Sequence, residues 1–262
     1  MTSPILVTGG TGTLGRHVVP LLRDAGQHVR VLSRGTHRPA TGLEYVAGDL
    51  LTGDGLERAV AGAGTVLHLA GGPKGDDEAT RNLVGAASRA DVRHLVYISV
   101  IGADTVPVGW LRSKHAAEQA VAASGIPWTT LRAAQFHDLV LTVLQKMARL
   151  PVIPVPGGLR FEPVDSRDVA ARLVELTLGA PAGRVADLAG PTVYGMGALV
   201  RGYLDATGRR RLTMPLRMPG RAGRAYRAGE NLSGLGASAG RRTWEDFLAE
   251  HVHPTEALPH PA

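Results

Sequence analysis

Ile5-Leu-Val-Thr-Gly-Gly-Thr-Gly-Thr-Leu-Gly-Arg16 decides how the rest of the 262-residue chain is read. A short apolar, β-favouring run breaks into glycines, and a helical pattern follows with Leu14, Val18, Leu21 and Leu22 on one face. Gly9, Gly12 and Gly15 permit a sharp turn, admit a pyrophosphate against bare backbone and let the helix pack closely on the strand. Thr11, Thr13 and Leu14 complete the turn. The helix N-terminus faces the phosphates, where unpaired N–H groups and the dipole favour an anion. A strand ending about 20 residues further on completes the context of a dinucleotide-binding unit.

That second strand, residues 28–33, delivers Arg34 to its carboxyl end, where such a unit reads the adenosine ribose. An acidic residue there would bind a 2′-hydroxyl, but residues 31–37 contain none. Arg34, with Arg16, His37 and Arg38 nearby, offers donors suited to a 2′-phosphate, so NADP(H) is expected over NAD(H). A third strand, 43–46, runs into Gly48-Asp49-Leu50, which sets Asp49 to accept from the adenine amine and Leu50 to pack on the ring. A fourth, 65–69, ends in Ala70-Gly71-Gly72, small enough for a ribose or phosphate to approach; His68 within it reads as a satisfied core histidine.

The fifth strand, 94–99, puts Tyr97 and Ser99 on one face, with Ser99 at the end where parallel sheets present ligand sites. Trp110 and Lys114, four apart, share a face of the next helix. A sixth strand, 128–131, leads through Arg132 to His137 into another helix. Strands alternating with helices over some 140 residues imply an α/β fold, a doubly wound parallel Rossmann sheet with right-handed crossovers. The expected division is a nucleotide-binding domain at 1–150, a smaller C-terminal substrate-side subdomain at 151–253 and a tail at 254–262. The proline- and glycine-rich stretch from Leu150 to Gly158 reads as a loop over the cofactor mouth. Asp165 or Ser166 is set to cap the helix after it.

Charged residues at 20% and hydrophobic ones at 44% are ordinary for a globular chain. No apolar run reaches the roughly 18 residues of a membrane span, and the N-terminus enters a strand without room for a signal segment, so a cytoplasmic protein is expected. The absence of cysteine excludes disulfides and thiolate chemistry, and no metal site is expected. The net charge of +6 is carried mostly by arginine, ten of them between Arg201 and Arg242 against Asp205 and Glu230. With no interleaved aromatics apart from Tyr203 and Tyr226, and no nucleic-acid-binding motif, that stretch reads as solvated surface rather than a nucleic-acid patch.

Taken together, the chain resembles an atypical short-chain dehydrogenase/reductase of the NmrA-like, NAD(P)H-binding group. The resemblance lies in Thr8-Gly-Gly-Thr-Gly-Thr-Leu-Gly15, Gly48-Asp49-Leu50, Val96-Tyr-Ile-Ser99 and the segment Leu131 to His137, and extends to Gly229 and Thr243-Trp-Glu-Asp-Phe247. It implies that the Gln135-Phe136-His137 loop lies near the nicotinamide. Reductases of the superfamily use a Tyr-x-x-x-Lys pair, and here the corresponding stretch reads Trp110-Leu-Arg-Ser-Lys114. An indole N–H donates hydrogen bonds but does not release its proton near neutrality.

The expectation is therefore an NADPH-dependent oxidoreductase whose small-molecule acceptor, planar and conjugated like a quinone, tolerates the missing tyrosine. Ser99 is the candidate hydrogen-bond donor to the acceptor, His137 the candidate proton source and Lys114 the candidate cofactor anchor. Two alternatives stand beside it: a non-catalytic NADP(H) sensor, and a specialised biosynthetic enzyme of the same fold. Self-association into a homo-oligomer is left open.

Overall fold

In the computed structural model, which describes residues 3–72 and 74–252, the alternation of patterns becomes an alternation of elements. The strands β1 (Ile5–Thr8), β2 (Val29–Ser33), β3 (Leu43–Ala47), β4 (Thr65–His68), β5 (His94–Val100) and β6 (Trp128–Ala133) are interleaved with helices. These are α1 (Gly15–Asp24), α2 (Leu56–Val60), α3 (Asp76–Arg89), α4 (Gly109–Ala122) and α5 (His137–Met147). Beyond them come β7 (Val152–Pro156), β8 (Arg160–Phe161), α6 (Ser166–Leu178), β9 (Gly183–Arg184), β10 (Leu188–Ala189) and β11 (Tyr194–Gly195). The described chain closes with α7 (Met196–Thr207), β12 (Leu212–Leu216), α8 (Gly220–Ala228), β13 (Ser238–Ala239) and α9 (Trp244–His251). The tail expected at 254–262 lies outside the described residues.

The main sheet is parallel, in the order β3-β2-β1-β4-β5-β6-β10-β13, with β9 also paired to β6. The order reverses between β1 and β4, and in such sheets a crevice opens at the carboxyl ends of the two strands that diverge. Both faces are covered, which is why the central strands are almost wholly buried. On one face α1 and α6 pack through Val18, Leu22, Val169 and Leu173. On the other, α2, α3 and α4 pack through Val60, Leu83 and Val121.

The boundary expected at residue 150 is crossed in both directions. Helix α6 and strands β9, β10 and β13 complete the main sheet and its layers. Helix α5 instead joins β7, α7 and α9 in a third core around Leu144, Ile153, Tyr203, Trp244 and Phe247. Asp165 caps α6, its side chain accepting from the Arg167 amide at 2.8 Å. Thr243 and Asp246 form a reciprocal capping box on α9. The stretch expected as a loop over the cofactor mouth contains β7, paired in parallel with β12 in a separate two-stranded sheet. Prolines 154 and 156 are compatible with a strand there because a two-stranded sheet leaves each strand one unpaired edge. Among the described residues, no helix is long and apolar enough to cross a membrane.

Gly15 shows how closely α1 sits on the turn before it: a Cβ there would lie 2.3 Å from the Gly9 carbonyl oxygen and 2.4 Å from Gly10. These contacts are with backbone, which cannot swing aside, so Gly15→Ala is expected to lower stability by about 2–3 kcal/mol. Denaturant unfolding measures this, and an unchanged midpoint would contradict the close approach.

Candidate functional site

Turns at the carboxyl ends of the sheet strands enclose a cleft of about 1230 Å³. Its wall is formed by the β1–α1 turn, the ends of β2 to β6 and the start of α5, reaching as far as Leu139. Gly9 has φ +69° and its missing Cβ would lie 2.6 Å from the Ala70 amide nitrogen, so the β1 turn and the end of β4 meet backbone to backbone. A Cβ on Gly12 would have only the Gly9 carbonyl within 4 Å, at 3.3 Å, and the rest of its surroundings are open. Thr11, Thr13, Leu14, Ala70 and Gly71 also line the cleft, whereas Gly15 lies behind it as a packing glycine. A bare-backbone cradle of this kind fits a pyrophosphate.

At one end, Ser33 Oγ accepts from the Gly35 amide at 3.2 Å and pairs with His37 Nε2 at 2.8 Å. His37 in turn stacks on Tyr45. This fixes the turn from which Arg34 projects; Arg34 and His37 both line the cleft. Arg16 does not join them: its guanidinium donates to Asp138 at 2.6 Å, outside the cleft wall, and Arg38 is exposed away from the wall. Asp49 and Leu50 line the opposite side of this end. Asp49 Oδ1 accepts from the Leu51 amide at 2.8 Å, while Asn82 donates to the Leu50 and Leu51 carbonyls at 2.9 and 3.0 Å, holding the turn open toward the cleft.

At the other end Trp110, Lys114, Ser99, Gln135 and Phe136 line the wall. Trp110 and Lys114 reach the cleft together, as their spacing on α4 requires. Lys114 is buried, with Nζ 3.0 Å from Asp76 Oδ2 and 5.3 Å from the centroid of the Tyr97 ring. Gly71 is small because of it: a Cβ there would stand 2.9 Å from Nζ. Asp76 Oδ1 accepts from the Gly72 amide at 2.6 Å, so one carboxylate organises both the β4 loop and the lysine. Ser99 Oγ and Gln135 Oε1 are buried with no hydrogen-bond partner. Burial would raise the Glu118 carboxyl on α4, but hydrogen bonds from Arg132 hold it below its usual range. Arg132 grips Glu118 with two bonds of 2.7 and 2.6 Å and Asp104 with one of 2.8 Å, fastening α4 to the end of β6.

His137 is not in the wall. It is fully buried in the C-terminal core, with its ring 5.7 Å from Trp244 and 5.2 Å from Phe247. Burial lowers its pKa, so it packs as a neutral ring and is withdrawn as a proton source. The turn into α5 aims Gln135 and Phe136 at the cleft and rotates the next residue away from it. In sequence Gln135 is one polar residue of a loop; its unpartnered carbonyl is visible only in three dimensions. His68 bridges Thr8 and Thr80 at 2.6 and 3.0 Å, the satisfied core histidine its strand position suggested.

The NAD(P)H-binding family signature matches residues 9–177. A (4-alkanoyl-5-oxo-2,5-dihydrofuran-3-yl)methyl phosphate reductase of Streptomyces griseus is 35% identical over 194 residues, 71% of this chain and 68% of the relative. An NAD(P)H azoreductase of Xenophilus azovorans is 32% identical over 180 residues, 65% of this chain and 62% of that protein. Among solved structures, NADPH-dependent quinone oxidoreductase of Escherichia coli complexed with NADPH superposes with a TM-score of 0.79 at 20% identity, covering 94% of this chain and 99% of that one. At that identity the likeness is one of fold.

Burial, with the nearby Lys114 charge, pushes the His68 pKa from 6.5 down to about 3. Below its ordinary value the unfolded chain therefore takes up a proton that the folded chain refuses, and stability falls with pH. His68 alone should cost about 2 kcal/mol between pH 8 and pH 5. Denaturant unfolding at both pH values checks this: His68→Asn should flatten the pH dependence by that amount, and an unchanged slope would show that His68 is charged in the fold.

Proposed function

This chain belongs to the NAD(P)H-binding family, in its atypical short-chain dehydrogenase/reductase branch, and we propose that it is a cytoplasmic NADPH-dependent reductase of a planar, conjugated acceptor such as a quinone. The observation that carries this reading is the graded cleft: Arg34 and His37 at one end, bare glycine backbone between, and Trp110, Phe136 and Leu139 with a few buried polar groups at the other. Relatives named for reducing an azo compound and an acyl-dihydrofuranone phosphate support an acceptor with an extended π-system.

Bound NADPH supplies the hydride. Arg34, free of any ion pair among the described residues, reads the 2′-phosphate, with His37 beside it. The β1–α1 turn holds the pyrophosphate on backbone amides, and Asp49 and Leu50 hold the adenine. Lys114, kept in place by Asp76, directs its remaining N–H donors to the ribose. In the absence of a tyrosine, it is also the group in the cleft able to pass a proton to the reduced acceptor. Trp110 offers a flat face on which the acceptor stacks. Ser99 Oγ, buried without a partner, donates to the acceptor oxygen and fixes its orientation, and the unpartnered Gln135 Oε1 accepts from the hydroxyl formed on reduction. An acceptor that spreads its negative charge over a conjugated system needs less from that proton donor than an isolated carbonyl does.

NADPH oxidation with a panel of quinones tests the reading. Turnover is expected with NADPH, and Arg34→Ala should weaken NADPH binding about tenfold or more while leaving NADH binding unchanged. Lys114→Met should lower kcat about a hundredfold or more. Tight NADPH binding with no oxidation by any acceptor would overturn the reductase reading and favour a nucleotide sensor.

A further inference from the structure

The two-stranded sheet of β7 and β12 is built inside out on its solvent side. Residues paired across parallel strands share a face, so Val152 and Leu212 point together, and Met214 and Leu216 follow on that face of β12. Ile153, on the opposite face of β7, is buried in the C-terminal core. The outer face is uncovered: Val152 is 37% exposed, Leu212 74%, Met214 54% and Leu216 37%. Soluble surfaces rarely leave large apolar side chains in adjacent register positions open to water.

In the segments flanking β12 the charge is of one sign. Arg209, Arg210 and Arg211 precede β12, Arg217 follows it, and Arg221 and Arg224 occupy one exposed face of α8. No acidic residue lies between Asp205 and Glu230, and among the described residues none of these six arginines makes an ion pair. Arg227 ties the two pieces together by donating to the Met218 carbonyl at 2.9 Å in the turn between β12 and α8.

We propose that this arginine-fringed apolar sheet face docks on an anionic lipid surface. Leu212, Met214 and Leu216 enter the headgroup region while the flanking guanidiniums pair with lipid phosphates, an interfacial attachment that needs no spanning helix. A second copy of the chain fits less well. Face-to-face packing would set the arginines of one copy against those of the other, and edge pairing through β12 meets Pro215, which has no N–H to give. A nucleic acid would satisfy the arginines but would bury phosphates and bases against three aliphatic side chains, with no exposed aromatic in β12 to stack on. The attachment surface is separate from the cleft, whose wall ends at Leu139, so it stands whatever the cleft reduces.

Co-sedimentation of the full chain with phosphatidylcholine vesicles, with and without phosphatidylglycerol, tests the proposal. Binding is expected only to the anionic vesicles and should weaken as salt is raised. Replacing Arg209, Arg210 and Arg211 together by Gln should lower the partition coefficient about a hundredfold, and Arg217, Arg221 and Arg224 together by a similar factor. Leu212→Ser with Met214→Ser should weaken binding without changing its salt dependence. NADPH binding by each variant serves as the check of folding, and two separate arginine triples keep the test alive should one misfold. No binding to anionic vesicles at low salt, or equal binding to neutral ones, would overturn the proposal. So would a dimer that the Leu212→Ser, Met214→Ser variant converts to monomer, or tighter binding to duplex DNA than to vesicles.

Discussion

Everything in the cleft depends on a crossing of backbones that leaves no space for side chains. The turn after β1 passes so close to the end of β4 that a Cβ on Gly9 would stand 2.6 Å from the Ala70 nitrogen, and one on Gly10 would stand 2.9 Å from Val31 on β2. Gly15 then presses α1 against the same turn. These approaches draw β1, β2 and β4 together at the point where the strand order reverses, and they leave amides, rather than side chains, facing the cleft. A larger residue at any of them would move the turn, the helix N-terminus and the β4 loop as one unit.

The other half of the site is positioned by charge. Asp76 holds both the Gly72 amide and Lys114, so the β4 loop and helix α4 share one carboxylate. Farther back, the nearly buried Arg132 joins Glu118 on α4 to Asp104 in the loop after β5. Buried pairs of this kind contribute little net stability when intact, but removing one partner strands a charge. Their value here is geometric: they fix the rotation of α4, and with it the side chains of Trp110 and Lys114. These pairs stand behind the Trp110 and Lys114 end of the cleft.

Much of this was legible in the sequence because it is local. The six central strands, the glycine turn, the Trp110–Lys114 face and the capping of α6 each follow from spacings of two to four residues. What was not legible depends on distant partners. His137 faces the C-terminal core because α9, more than a hundred residues away, supplies Trp244 and Phe247 around it. Arg16 is taken up by Asp138 across the α1–α5 contact. Pro154 and Pro156 argued for a loop, yet the strand at Leu212–Leu216, itself readable in the sequence, pairs with that stretch, and no local pattern announces the pairing. The glycine-lined end of the cleft was thus readable, whereas the end lined by Gln135 and Phe136 depends on how the chain closes behind it.

Fluorescence titration with NADPH and NADH addresses the central claim most directly, since Trp110 lines the cleft and reports on what enters it. Saturable quenching of tryptophan emission is expected, tighter for NADPH than for NADH, with most of the quenching lost in Trp110→Phe. Absence of binding by either nucleotide would contradict the assignment of the cleft and the function drawn from it.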